Sequence, residues 1–432
     1  MKTPANDSRT IRAWTFYDWA NSSYPLVISS AIFPIFYENV TATKKDGKIV
    51  SDMVELFGIT FKNTELYSYT ISLSFVIVSM LIPLLSGIAD YSGKKKFFLR
   101  IFCLLGSLST AMLFFFTTAH LFWSMLTLMF ASMGFWGSLV FYNAFLPEIA
   151  STDMHDKVSA RGFAMGYIGS AILLIIILVL IQAAGMNARW AFVGVGIWWF
   201  GFAQLTFLGL PDELRKEEKH PGMLTKGMSE LKKVWHDLSH STALKRYLYA
   251  FFVFSMGVQT VMLMAVLFAK KEIVGLQDSH LITAVMLIQF LGIAGSFLFS
   301  ALSKKFGNIQ ALLFALVIWI FICTGTYRFV YLPTEFYLVA ASVGLVMGGI
   351  QSLSRSTYAK LLPSTHDHAS YFSFYDVCEK IGIVIGTFLF GFIEGFTGGM
   401  RNSILALIVF FIAGFLLLLR VPRKKSIERS DV

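Results

Sequence analysis

Long apolar runs broken by short polar joints dominate the chain. About twelve of them are long enough to cross a bilayer, which takes roughly 20 helical residues. They cover 12–38, 66–90, 97–117, 121–147, 159–184, 190–210, 247–269, 281–302, 309–331, 335–362, 371–396 and 402–420. The runs are continuous rather than alternating, so they predict helices, which satisfy their own backbone groups in hydrocarbon. Asp18 and Asn21 inside the first run, with no small-residue cleavage site after it, argue against a signal peptide. The expected fold is an all-α integral membrane protein with twelve transmembrane helices in two pseudo-symmetric six-helix bundles.

Charge sets the orientation. With the N-terminus inside, inside segments hold 25 Lys and Arg and outside segments 9. Positive loops stay in the cytoplasm, so both termini are expected there. The net charge of +10 is thereby explained as a topology signal, and a nucleic-acid partner is not expected. Hydrophobic residues at 56% and charged residues at 14% exclude a soluble protein of this size. Cys103, Cys323 and Cys378 sit singly in apolar runs, without metal or redox spacing.

The expected division is 1–210, a linker 211–246, and 247–432. In the linker Leu224, Met228, Leu231, Trp235 and Leu238 recur at helical spacing among charged residues, predicting an amphipathic helix on the inner leaflet. Basic turns at Gly93 and Gly307 are offset by 214, and Gly169 and Gly382 by 213. Near-constant offsets point to a duplicated unit, a common transporter plan.

An ionised side chain at membrane depth costs about 2.5–3.5 kcal/mol on insertion scales, so each needs a reason. The cases here are Asp18, Arg355, Asp376, Glu379 and Lys380. Asn21, Ser22 and Pro25 share a helix face with Asp18. Gly344, Gly348, Gln351 and Arg355 form one stripe, and Asp376, Glu379 and Lys380 another. The short loop between the last two stripes predicts that Arg355 pairs with Glu379 or Asp376. Three acids against two bases leave one carboxylate over, a candidate proton carrier. The structural alternatives are a plain helix clasp for Arg355, local hydroxyl bonds for Asp18, an interhelical hydrogen bond for Asn143, and packing for Gly162, Gly166 and Gly169. Gln259 gains weight from its repeat match to Asn21. The His residues fall in loops or at span edges, His366 and His368 being expected in solvent, and no phosphate-cradling loop is present. Neither a metal, nor a cofactor, nor an enzyme is expected.

Gly87-Ile-Ala-Asp90-Tyr-Ser-Gly93-Lys94-Lys95 resembles the signature loop of the major facilitator superfamily. That resemblance implies an inner gate in which Asp90 acts near the start of helix 11, around Tyr371. Tyr17-Asp18-Trp19-Ala20-Asn21-Ser22-Ser23-Tyr24, Phe141-Tyr142-Asn143, Leu146-Pro147-Glu148, Arg161 to Gly169 and Ser354-Arg355-Ser356 are similar to the family named after the yeast vacuolar amino-acid effluxer of autophagy. This implies a secondary transporter of small solutes, with amino-acid export as the named activity. Substrate candidates are Asp18, Asn21, Ser22, Tyr24, Asn143, Gln259, Gln351, Arg355, Asp376, Glu379 and Lys380. Proton-coupling candidates are Asp18, Asp376 and Glu379. Gate candidates are Asp90, Gly93, Lys94, Lys95, Glu148 and Arg161. The expected activity is alternating-access transport of an amino acid or similar zwitterion, with a proton or sodium ion, by a monomer in a bacterial inner membrane. The competing expectations are a lipid translocator and a non-transporting sensor on the same scaffold.

Overall fold

The computed structural model describes residues 5–45, 48–212 and 223–422. Linker residues 213–222 and the basic segment after 422 lie outside the described residues. So do the side chains of Leu224 and Lys226.

The first crossing is made in three pieces: α1 (Ser8–Asn21), a π-helical segment (Tyr24–Ala31) and α2 (Phe33–Thr41). Pro25 and Pro34 explain the break, since each removes a backbone donor from the helical ladder. Ile32 N–H reaches back five residues to Val27 O at 2.8 Å. Irregular helix at membrane depth is tolerated where protein covers it, and Tyr24, Leu26, Val27 and Ile28 are all buried. Asp7 caps α1 by accepting from Thr10 N and Oγ1 at 2.9 and 2.8 Å, and these bonds hold its carboxyl below the usual range.

The remaining first-half crossings are α3 (Asn63–Ser92), α4 (Lys95–Met112), α5 (Leu121–Asn143) with the short α6 (Leu146–Ile149), α7 (His155–Ala184) and α8 (Arg189–Gly209). After the linker helix α9 (Met223–His240) come α10 (Thr242–Glu272), α11 (Asp278–Phe306), α12 (Asn308–Phe329), α13 (Pro333–Leu361), α14 (His368–Thr397) and α15 (Met400–Leu419). Ten of these crossings are long and apolar enough on composition alone. The broken first crossing and the charge-bearing α14 complete twelve. The α2–α3 loop carries two hairpins that the apolar runs did not foreshadow, β1 (Thr43–Lys45) with β2 (Lys48–Ser51) and β3 (Met53–Leu56) with β4 (Ile59–Lys62).

Within each half, small residues let helices close up. Gly162, Gly166 and Gly169 of α7 face Asp18, Ser22 and Trp19 of α1, and Gly344, Gly348 and Gly295 bring α11 and α13 together. Between the halves, α7 packs on α11 and α13, and α14 packs on α3 and α5.

Two expectations need correction. First, α13 and α14 meet near their shared loop through Tyr358, Phe372 and Tyr375, but α10 packs between them, with Tyr247 on Tyr358 and Phe251 stacked on Tyr375 at 4.0 Å. Chain neighbours joined by a short loop are therefore not side by side along their length. Second, α9 forms as expected but packs on α3, α10 and α14 rather than lying free on a leaflet. Gly227 sits against the backbone of Gly87, Val234 and Leu238 are buried, and Trp235 and Met228 are exposed. A glycine admits the closest approach, so the packed face is centred on Gly227 rather than on the largest apolar side chains.

Candidate functional site

The face of the bilayer that carries α1, α9 and the end of α15 is called the linker face below. Charged groups from both halves gather in two tiers, one near this face and one near the midplane.

The nearer tier is built on Arg355, six residues from the end of α13 and so about 9 Å inside it at 1.5 Å per residue. Its guanidinium makes five hydrogen bonds, as many as it has N–H groups. Nη1 and Nη2 each donate to Asp18 Oδ2 at 3.2 Å. Nε donates to Ser159 Oγ at 2.9 Å, Nη2 to Ser159 O at 2.9 Å, and Nη1 to Asn143 Oδ1 at 3.3 Å. Tyr142 OH donates to Asp18 Oδ2 at 2.7 Å. The rings of Trp14, Tyr142 and Phe163 lie 4.7, 5.5 and 4.2 Å from the guanidinium carbon. Arg355 is 3% exposed and Asp18 5%, so this pair is sealed. It joins α13 of the second half to α1, α5 and α7 of the first. The expected pairing of Arg355 with Glu379 or Asp376 is thus replaced by a bridge between the halves, because α10 holds α14 away from the stripe on α13.

Below this bridge, further contacts close the linker face. Asp90 at the end of α3 accepts from the backbone N–H groups of Ala369 and Ser370 at 3.2 and 2.7 Å. A carboxylate at a helix N-terminus meets the positive end of the helix dipole. Gly93, in the left-handed conformation at φ 67°, ends α3 and turns the chain into α4. Lys95 pairs with Glu148, which also accepts from His368 Nδ1 at 3.0 Å. His368 is therefore buried at this junction, contrary to the expectation that it sits in solvent. In the second half, Ser303, Asn308 and Lys360 converge on Asp156 of α7 at 2.8, 2.7 and 2.5 Å. Lys94 and Arg161 are exposed.

The midplane tier lies on α14. Glu379 is eleven residues from the start of α14, about 17 Å in, well above Arg355. Lys380 pairs with Asp376, and its ammonium nitrogen lies 4.1 Å from the Trp136 ring centroid on α5. Gln259 of α10 donates to Glu379 Oε1 at 2.5 Å. Among the described residues Glu379 has no cation within ion-pair distance, and the buried Asp376 Oδ2 has no hydrogen-bond partner. At a similar depth on α13, Gln351 accepts from Tyr167 OH at 3.0 Å and donates to Met262 Sδ at 3.3 Å, a weak acceptor.

Three sequence candidates fall elsewhere. Tyr24 is packed between Phe135 and Trp199 inside the first half. Asn21 is 1% exposed with its amide nitrogen unpartnered among the described residues, and Ser22 is wedged against Gly166. Trp14, Trp136, Ser159 and Tyr167 were not singled out. Tyr167 lies within the Arg161-to-Gly169 motif, while the only signal of the other three is aromatic or hydroxyl identity on faces that apolar runs make look like packing.

On the opposite face each half secures its own corners. Arg189 donates to the carbonyls of Phe114 and Phe116 in the first half, and Arg401 to those of Thr326, Tyr327 and Val330 in the second.

Residues 6–431 match the family described as "Vacuole effluxer Atg22 like". The chain belongs to that family. Its Atg22-like character extends to an uncharacterized MFS-type transporter, YxiO, of Bacillus subtilis, which is 31% identical with 97% of this chain and 96% of that protein covered. Autophagy-related protein 22-1 of Aspergillus niger is 27% identical over 86% of this chain and 75% of its own length. Among solved structures, the human organic anion transporter MFSD10 superposes with a TM-score of 0.70 at 12% identity, covering 96% of this chain and 100% of that one. The E. coli fucose:proton symporter FucP gives 0.65 at 13%, covering 96% and 98%. These likenesses give the Atg22-like chain the twelve-helix major facilitator fold in two pseudo-symmetric bundles, and its class is that of an integral membrane MFS-type transporter.

Proposed function

We propose that the protein carries a small polar solute, an amino acid or comparable zwitterion, by alternating access coupled to a proton. The observation that carries this reading is the segregation of the two tiers. Ion pairs between the halves close one face, while a half-buried acid without a cation stands near the midplane. The two bundles, 1–210 and 247–432, would rock about that level, and parting of the Asp18–Arg355 bridge would open the linker face. The excess of basic residues assigns the linker face to the cytoplasm, so this arrangement is closed inward, in a bacterial inner membrane. Glu379 is the coupling carboxylate, because Asp18 and Asp376 already hold cations.

A lipid translocator on this fold would need a lateral path that accepts a headgroup. The groove along α8, lined by Gly194, Ile197, Trp198, Gly201, Phe202 and Leu205, is apolar, which favours the solute reading. The test is uptake of labelled amino acids into proteoliposomes under an imposed pH gradient. Gradient-driven uptake supports the proposal, and uptake indifferent to the gradient removes the proton.

A further inference from the structure

The midplane tier has more acceptors than donors. Asp376 and Glu379 set two carboxyl groups against the single ammonium of Lys380. Gln259 fills only Oε1 of Glu379, and Asp376 Oδ2, in a side chain nine-tenths buried, has no partner among the described residues. The two acids lie three residues apart on α14, so both free oxygens belong to one helix face. An ammonium group has three donors and no acceptor, which is the complement of this site.

The supply of cations for an anionic group is the reverse. All five Arg355 N–H groups are engaged in the bridge between the halves. Lys380 is 1% exposed, paired with Asp376 and covered by Trp136. Among the described residues the midplane tier offers a partly exposed carboxyl without a cation and no cation without a partner.

Resting on the transporter reading above, we infer that Glu379, with Gln259 orienting it, is the subsite for the ammonium group of the cargo, and that a proton and this ammonium occupy Glu379 in turn. Occupancy by one excludes the other, so cargo arrival releases the proton from Glu379 and cargo departure lets it return. Such mutual exclusion makes the protein an exchanger, moving solute against protons.

The neighbours of Glu379 are few. On its own helix Asp376 and Lys380 are charged and Tyr375 is a phenol. Helix α10 presents neutral Gln259, and Trp136 of α5 covers Lys380. Arg355 of α13 and Asp90 of α3 lie nearer the linker face, each held by its own partners. Asp376, paired with Lys380, is the carboxyl whose titration is coupled to that of Glu379.

The experiment uses the purified full chain and three probes of one skeleton: L-valine, isobutylamine, which keeps only the ammonium, and isovalerate, which keeps only the carboxylate. Calorimetric titration between pH 5 and 8 should show binding of the amine and of valine but not of isovalerate. The amine's Kd should fall with rising pH, approaching tenfold per unit where Glu379 is mostly protonated, with about one proton released per amine bound. Glu379→Gln should weaken amine binding by at least about tenfold and flatten its pH dependence. Gln259→Leu should weaken it less and keep the slope. Isovalerate binding as tightly as the amine, a flat pH series in the unmutated protein, an affinity within about twofold in Glu379→Gln, or no binding of any probe would each overturn the inference. Proton flux driven by an added solute in proteoliposomes is measured separately. Its persistence alongside any of those results would retain the transporter reading and discard only the ammonium subsite.

Discussion

Both charged tiers set buried acids against buried bases, and they behave differently. Around Arg355 every guanidinium donor has an acceptor, and Asp18 Oδ2 receives from Arg355 twice and from Tyr142. Around Glu379 the acids outnumber the cations among the described residues, and one buried carboxyl oxygen has no partner among them. A buried pair that is fully hydrogen-bonded costs a great deal to break. A site with spare acceptors is ready to exchange partners. The first tier thus has the chemistry of a lock and the second that of a receptor, about one and a half helical turns apart.

Substitutions separate these roles. Asp18→Ala leaves Arg355 buried and unpaired, with an expected loss of about 3–5 kcal/mol seen as a large fall in Tm in detergent. Asp18→Ala with Arg355→Met should recover most of it, because both charges are gone. A single mutant as stable as the parent would show that the bridge is not a lock. Next in size is Gly162→Val. Its Cβ would strike Asp18 Oδ2, and would lie 2.8 Å from Arg355 Nη2 and 3.1 Å from the Trp14 ring. Overpacking of this kind costs about 1–3 kcal/mol, again read as Tm, whereas Gly194→Val, with open space around it, should be nearly silent.

Glu379→Gln is expected to leave Tm unchanged or to raise it slightly, since it removes a carboxyl group that no cation offsets while keeping a partner for Gln259. A fall comparable to that of Asp18→Ala would make the two tiers alike. The smallest effect is expected at Lys233, whose ammonium lies 3.0 Å from Asp367 and is half-exposed at the surface of α9. Asp367 is buried but the Lys233 end is in solvent, which limits the contribution to about 1 kcal/mol. The bond to Asp367 raises the Lys233 pKa above 10.5. Its contribution is therefore fully present below that value and fades only as pH rises through the higher folded one. The difference in Tm between Lys233→Ala and the parent should accordingly stay constant from pH 6 to 9.

The spans were legible because lipid demands long apolar runs, and the buried charges stood out against them. The surplus of one acid was legible too, since it follows from counting. Which acid is left over was not. The Asp18–Arg355 partnership joins residues 337 positions apart and depends on α10 standing between α13 and α14, a packing fact without a local signature. Tyr142 could be read only as part of a motif, and Trp14 and Ser159 not at all, because an aromatic or a hydroxyl on a helix face serves packing and polar contact equally well. The face of α9 was misjudged for a similar reason. Periodicity selected its largest apolar residues, while contact with α3 is decided by Gly227.

The central claim is that the Asp18–Arg355 bridge holds the linker face shut while the opposite face is free to open. Spin-label distances test it directly, with one label pair at Lys157 and Lys304 on the linker face and another at Ala119 and Thr334 on the opposite face. In Asp18→Asn the linker-face distance should lengthen and the opposite-face distance shorten relative to the parent. Distances that stay unchanged at both faces, or that lengthen together, would contradict the account.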